Sequence, residues 1–215
     1  MRGARCVPAN AGRGRFLTTA AKVLGLVAAT SGCVETALVG PDIPRSAGFQ
    51  LEAEVGRATR ACVESEASGP EALRALLDAG YIEVSSMGRP TFVKRSAGTT
   101  PVLFGTPTPT TLTVVDTGRI ECRIDVTPYT LGGPVLAIAA STLAQDGYRR
   151  IEVTTGSGGR AAERFVGGGQ RLALTGLIPQ SIAANRPSSI YVRRLTAATD
   201  RTCRNALPAA LREGC

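Results

Sequence analysis

The amino-acid sequence predicts an α+β domain: an antiparallel sheet with two N-terminal helices and one mid-chain helix packed on one face. Three observations carry that expectation. Apolar residues recur at helical spacing over residues 51–77 and again over 135–143. Elsewhere after residue 80 the period falls to two, in short runs separated by glycine, proline and other turn formers. No apolar run approaches the roughly 20 residues that span a bilayer, so the helices are packing helices.

The first helix starts near Phe49. Leu51, Val55, Ala58 and Cys62 fall four, three and four residues apart, one stripe of an α-helix. Glu52, Glu54, Arg57 and Arg60 lie off that stripe, so Cys62 is placed on the buried side. Glu64 and Glu66 read as solvated residues just beyond the helix. Ser68-Gly69-Pro70-Glu71 opens a second helix with proline at its first position. Leu73, Leu76 and Leu77 form its apolar side, and Gly80 follows its end.

Short strands are expected at residues 81–84, 91–94, 102–104 and 112–115, with 105–111, which holds Pro107 and Pro109, as an extended loop. The strand over 120–126 alternates most cleanly. Ile120, Cys122, Ile124 and Val126 point one way and Glu121, Arg123 and Asp125 the other, as in a sheet with one face on a core. Gly133-Pro134 opens the third helix, with Val135, Leu136, Ile138, Ala139 and Leu143 apolar and Gly147 closing it. Strands follow at 149–155, 171–175 and 189–195. The glycine-rich segment 156–169 reads as an inter-strand loop, and 196–215 as a helical or irregular tail. No internal repeat is visible.

Residues 1–32 differ in character. Arg2, Arg5, Arg13 and Arg15 come with no acid, a short apolar run follows from Val23 to Ala29, and Thr30-Ser31-Gly32-Cys33 ends it. Positive, apolar, then small is the order of a secretory signal. The stretch from Leu26 to Cys33 resembles the lipobox of bacterial lipoproteins, with Thr30 standing where leucine is usual. That resemblance implies that 1–32 is removed as a signal peptide and that Cys33 is lipidated at the new N-terminus. Residues 33–48, with Gly40-Pro41, Pro44 and Ser46-Ala47-Gly48, would then tether a single domain over 49–215. It also implies an exported, membrane-anchored protein facing the periplasm. Val34, where aspartate retains some lipoproteins in the inner membrane, favours the outer membrane. Over residues 50–150 the chain resembles small uncharacterised exported proteins of Gram-negative bacteria, in its helix cysteine, its Leu-Leu…Ala-Gly-Tyr second helix and its strand cysteine. This second resemblance implies no activity.

The formal charge of +8 overstates the basic character. Without the five basic residues of 1–32, twenty cations face seventeen acids, too even a balance for a nucleic-acid footprint. Cys6 leaves with the signal and Cys33 takes the lipid. Cys62, Cys122, Cys203 and Cys215 remain, an even set that reads as two disulfides with three possible connectivities. We favour Cys62–Cys122, stapling helix to strand, and Cys203–Cys215, closing a C-terminal loop. None of these cysteines has metal-ligand spacing, and neither a metal nor a cofactor is expected.

The chain has no histidine, which argues against Ser-His-Asp and Cys-His catalysis. Lys94 is the one lysine after the signal, and no SxxK motif accompanies it. Glu121 and Asp125 share a strand face and are the candidates for carboxylate chemistry, with Arg123 between them. Gly156-Ser157-Gly158-Gly159-Arg160, with Arg164 and Gly167-Gly168-Gly169, has the composition of an anion cradle but the spacing of neither a P-loop nor a dinucleotide fingerprint. Arg149, Arg150, Arg171, Arg193 and Arg194 lie on the last three expected strands; if those strands were adjacent, one arginine of each neighbouring pair would contribute to a basic strip. The leading expectation is a non-enzymatic, lipid-anchored envelope protein that binds another envelope protein or a cell-wall or surface polymer. The rivals are a hydrolase using Glu121 and Asp125, and an exported inhibitor that inserts its glycine-rich or Thr-Pro loop into an enzyme.

Overall fold

The computed structural model describes residues 43–86, 88–101, 106–117, 121–157, 159–178 and 187–196. Residues 1–32, Cys33, the strand expected at 102–104 and the tail carrying Cys203 and Cys215 lie outside the described residues.

Strand β1 (Arg45–Ser46) precedes helix α1 (Leu51–Ser68), a 3-10 turn (Pro70–Arg74) and the short helix α2 (Ala75–Asp78). Four strands follow, β2 (Ile82–Ser86), β3 (Arg89–Thr100), β4 (Thr108–Asp116) and β5 (Cys122–Thr127). Helix α3 (Gly132–Gln145) then leads into four more, β6 (Arg149–Thr155), β7 (Arg160–Gly167), β8 (Gln170–Leu177) and β9 (Ser188–Leu195). The class is α+β. The order helix-then-four-strands occurs twice, a duplication of topology with no repeat in the sequence.

Among the described residues one sheet holds all nine strands, in the order β1-β3-β4-β5-β9-β8-β7-β6, with β2 also on β3. Apart from β1, each half is a run of antiparallel neighbours, and the halves meet where β5 pairs antiparallel with β9, Ile124 opposite Ile190. The sheet is mixed and not purely antiparallel, because β1 pairs parallel with β3. The last residues of the expected tether, Arg45 and Ser46, are therefore part of the sheet.

The hydrophobic core gathers one side of the alternation: Phe92, Leu112, Val114, Cys122, Ile124, Phe165, Leu172, Leu174, Ile190 and Val192. Against it lie the expected stripe of α1 (Val55, Ala58 and Cys62) and Val135, Ala139 and Leu143 of α3. Helix α1 contacts β4, β5 and β9; α3 contacts β6, β8 and β9; and the helices touch each other. At that contact Gly56 leaves a Cβ-sized gap 3.5 Å from Thr142 Oγ1, and Arg60 grips the Asp146 carboxylate at the end of α3, with N–O distances of 2.9–3.1 Å. Cys62 of α1 is bonded to Cys122 of β5. That staple joins helix to strand as the periodicity suggested.

Other expectations need correction. The second helix is mostly 3-10, because Gly69 at φ 98° and Pro70 turn the chain too tightly for a full α-helix start. Helix α1 continues through Glu64 and Glu66, and Glu66 is half-buried and not solvated. Strand β4 begins at Thr108, inside the expected Thr-Pro loop. The largest difference is at 156–169. That segment is mainly strand β7, joined to β8 by Gly168-Gly169, whose φ values of 55° and 73° suit the tight turn of a hairpin.

Candidate functional site

The face of the sheet opposite the core carries the other half of the alternation. Register fixes which side chains line up across it. One row runs Arg123, Tyr191, Thr175, Ala162 over β5, β9, β8 and β7. The next runs Arg193, Ala173, Arg164, Glu152 over β9, β8, β7 and β6. The pairing of Cys122 with Val192 continues to Glu121, placing it beside Arg193. The full row therefore reads Glu121, Arg193, Ala173, Arg164, Glu152: an acid outside each of two arginines, and an alanine between them.

Each arginine leans to its own acid. Arg193 donates through Nε to Glu121 Oε2 at 3.2 Å and through Nη2 to the same oxygen. Arg164 Nη1 lies 3.2 Å from Glu152 Oε2. The ion pairs draw both guanidiniums outward, while Ala162, Ala173 and Thr175 keep the floor low. The result is an open cleft of about 490 Å³ lined by Glu121, Ala162, Arg164, Ala173, Thr175, Tyr191, Arg193 and Leu195.

Farther along the same face Asp125 is nearly buried; it accepts from the Ser189 hydroxyl at 2.6 Å and lies 3.0 Å from Arg123 Nε. Burial pushes its carboxyl above the usual range, opposed by the hydrogen bond from Ser189 and the charge of Arg123. Strand spacing puts Asp125 about 13 Å from Glu121, too far for the two to act on one bond.

The expected basic strip is not assembled. Strand β6 sits at the sheet edge, separated from β8 by β7, so the three arginine-bearing strands are not mutual neighbours. Arg149 pairs in register with Val166 and Arg150 with Phe165, so the two point to opposite faces, and Arg150 reaches Glu163 at 3.2 Å. Arg171 is buried. Arg194 shares the core-side alternation with Val192, and its backbone N–H donates to Glu66 Oε2 at 3.3 Å. Of the five, only Arg193 lines the cleft. Arg164 stands there as well, on a strand rather than in a backbone cradle. Tyr191, Thr175 and Glu152 went unnoticed in the sequence: the first two depend on the pairing of β9 with β8 and β5, and Glu152 on the register of β7.

Lys94 belongs to a different cluster, on the core side. Its Nζ donates to Glu54 Oε1 at 2.8 Å and to the Ala79 carbonyl at 2.6 Å, and sits 5.5 Å from the centroid of the Tyr81 ring. Arg57 Nη1 shares Glu54 Oε1 at 2.8 Å. Burial and the nearby Glu54 carboxylate raise the Tyr81 phenol, which stays protonated. This lysine is an ion-pair partner held in place, with no serine beside it among its contacts.

Among the described residues no three His, Cys, Asp or Glu side chains converge as metal ligands, and no helix is long and apolar enough to cross a membrane. No family model, curated protein or solved structure matches the chain.

Proposed function

We propose that this chain is an exported, lipid-anchored protein of the cell envelope that acts by binding, with the cleft on the sheet as its ligand site. In this reading α1, α2 and α3 form a layer on one face and leave the other for the ligand. Cys33 carries the lipid, residues 33–44 form the tether, and Cys203–Cys215 closes the tail. The observation that favours binding over hydrolysis is the state of Glu121. It is the one acid in the cleft lining, and Arg193 holds it in an ion pair. Carboxylate hydrolysis needs a second acid within reach, and Asp125 is not.

The test is the intact mass of the protein extracted from the membrane fraction, before and after reduction, with Cys33→Ser as the control. The expected mass is that of residues 33–215 plus lipid, rising on reduction by the hydrogens of two disulfides. The Cys33→Ser protein should leave the membrane fraction. An unlipidated wild-type protein in the soluble fraction overturns the proposal.

A further inference from the structure

We infer that the cleft binds neutral sugar chains, through the row Glu121-Arg193-Ala173-Arg164-Glu152. This assignment rests on the binding reading above and names its ligand class. The first argument is charge. Each guanidinium is already matched by a carboxylate, so the row carries no net charge and offers an anion little Coulomb attraction. A hydroxyl-rich ligand uses such walls better. Every sugar hydroxyl both donates and accepts; the Arg193 wall presents guanidinium N–H donors next to the Glu121 carboxylate, and the opposite wall presents the donors of Arg164, whose charge Glu152 balances from behind.

The second argument is shape. The Cα atoms of Arg164 and Arg193 flank Ala173 at two strand spacings, about 10 Å apart. The floor between them is Ala162, Ala173 and the methyl-bearing Thr175, a shallow apolar strip able to take the C–H face of a pyranose ring. Tyr191, in the neighbouring row, adds an aromatic ring and a hydroxyl at the cleft wall, the amphipathic combination that recurs where one side of a ligand is apolar and its rim polar. A volume of about 490 Å³ lies within the usual range for small-ligand sites, and the cleft is open enough for a chain to run through it.

The third argument is preorganisation. Glu121, largely buried, holds Arg193 before any ligand arrives, so less of that side chain's entropy is lost on binding; the more exposed Glu152 orients Arg164 more weakly. The same acids distinguish this site from an anion clamp, in which the guanidiniums would converge on the centre of the cleft.

The test is isothermal calorimetry on the full chain in detergent, with chitotriose, maltotriose and cellotriose as neutral probes and inorganic phosphate as the anion probe. We expect at least one trisaccharide to bind in the range of about 0.1–1 mM, and phosphate to produce no saturable heat. Ala173→Phe fills the trough while leaving both ion pairs, and should weaken that binding at least about tenfold. Glu121→Gln, which frees Arg193 and makes the row cationic, should weaken the sugar and introduce phosphate binding; circular dichroism checks that both variants are folded. Saturable phosphate binding by the wild type, no heat from any trisaccharide, or an Ala173→Phe protein that binds sugar normally overturns the assignment. A lipidated, membrane-held protein that fails these tests loses the ligand class and keeps the anchor, so the two proposals fail separately.

Discussion

Lys94→Met should destabilise the domain strongly, and the size of the loss follows from what the lysine leaves behind. Glu54 is almost wholly buried at 1% exposure, and its Oε2 has no hydrogen-bond partner among the described residues. Its charge therefore depends on Lys94 and on Arg57, both held at Oε1. Removing one member of a buried pair costs about 3–5 kcal/mol, because the remaining charge stays buried. Arg57 keeps its contact, but half its side chain is in solvent, which moves the loss toward the low end. The Ala79 carbonyl also loses its donor, adding about 1 kcal/mol. The expected cost is about 4 kcal/mol, or roughly 8–16 °C in Tm for a domain of this size. Urea unfolding with the disulfides intact, together with scanning calorimetry, measures it. Glu54→Leu combined with Lys94→Met removes both charges and should recover to within about 1 kcal/mol of wild type. A single variant within about 1 kcal/mol of wild type, or a double variant as unstable as the two losses summed, would refute the reasoning.

Three other outcomes are expected. Replacing Cys62 and Cys122 by alanine opens a cross-link spanning 60 residues and should cost about 4 kcal/mol in the chain-entropy model, read from the shift in urea midpoint. A Cβ on Gly132 of α3 runs into Ser188, whose hydroxyl donates to the Tyr129 carbonyl, so Gly132→Ala should cost about 1–3 kcal/mol, read as a lowered urea midpoint. Burial raises the carboxyl of Glu66 above its ordinary 4.5, against the hydrogen bond from Arg194. The folded state then holds that proton more tightly than the unfolded chain, so the stability it contributes falls as pH rises from 4.5 through the raised value. Glu66→Gln should remove that decline, and the Tm of the variant should gain on wild type between pH 4 and pH 7; parallel Tm–pH curves would count against this account.

Much of the fold was legible because its elements follow the simplest periodicities. Val55, Ala58 and Cys62 lie on one helical stripe, and Cys122, Ile124 and Val126 on one strand face; both sets are buried where the spacing put them. Strand β7 was hidden for the opposite reason. Its residues include Ala161 and Ala162 where a strand signal needs bulk on one side, and glycines crowd both of its ends. Without β7 the last expected strands appeared adjacent, and one arginine from each of the pairs Arg149-Arg150 and Arg193-Arg194, with Arg171, read as a strip. The missing strand also concealed the cleft, since Ala162 and Arg164 belong to it. The small side chains that suppressed the alternation are the ones that keep the cleft floor low. The alternation placed Glu121 on the side away from the core, but its partner, Arg193, lies 72 residues away and depends on β5 pairing with β9.

The meeting of β5 and β9 sets an order of assembly. Apart from β1, whose Arg45 meets Arg95 of β3, every strand within each half pairs with a near neighbour in sequence, so both halves can form largely from local contacts. The junction joins residues as far apart as Ile124 and Ile190 and must wait for the second half. Until then β5 is an open edge with unpaired backbone groups, held rigid by the cysteine bridge to α1. A chain delivered N-terminus first therefore presents a finished template to its own later strands, and the same template is open to another copy of β9. High local concentration during synthesis should favour exchange of β6–β9 between molecules, and the product would be a swapped dimer with the same cleft on each half.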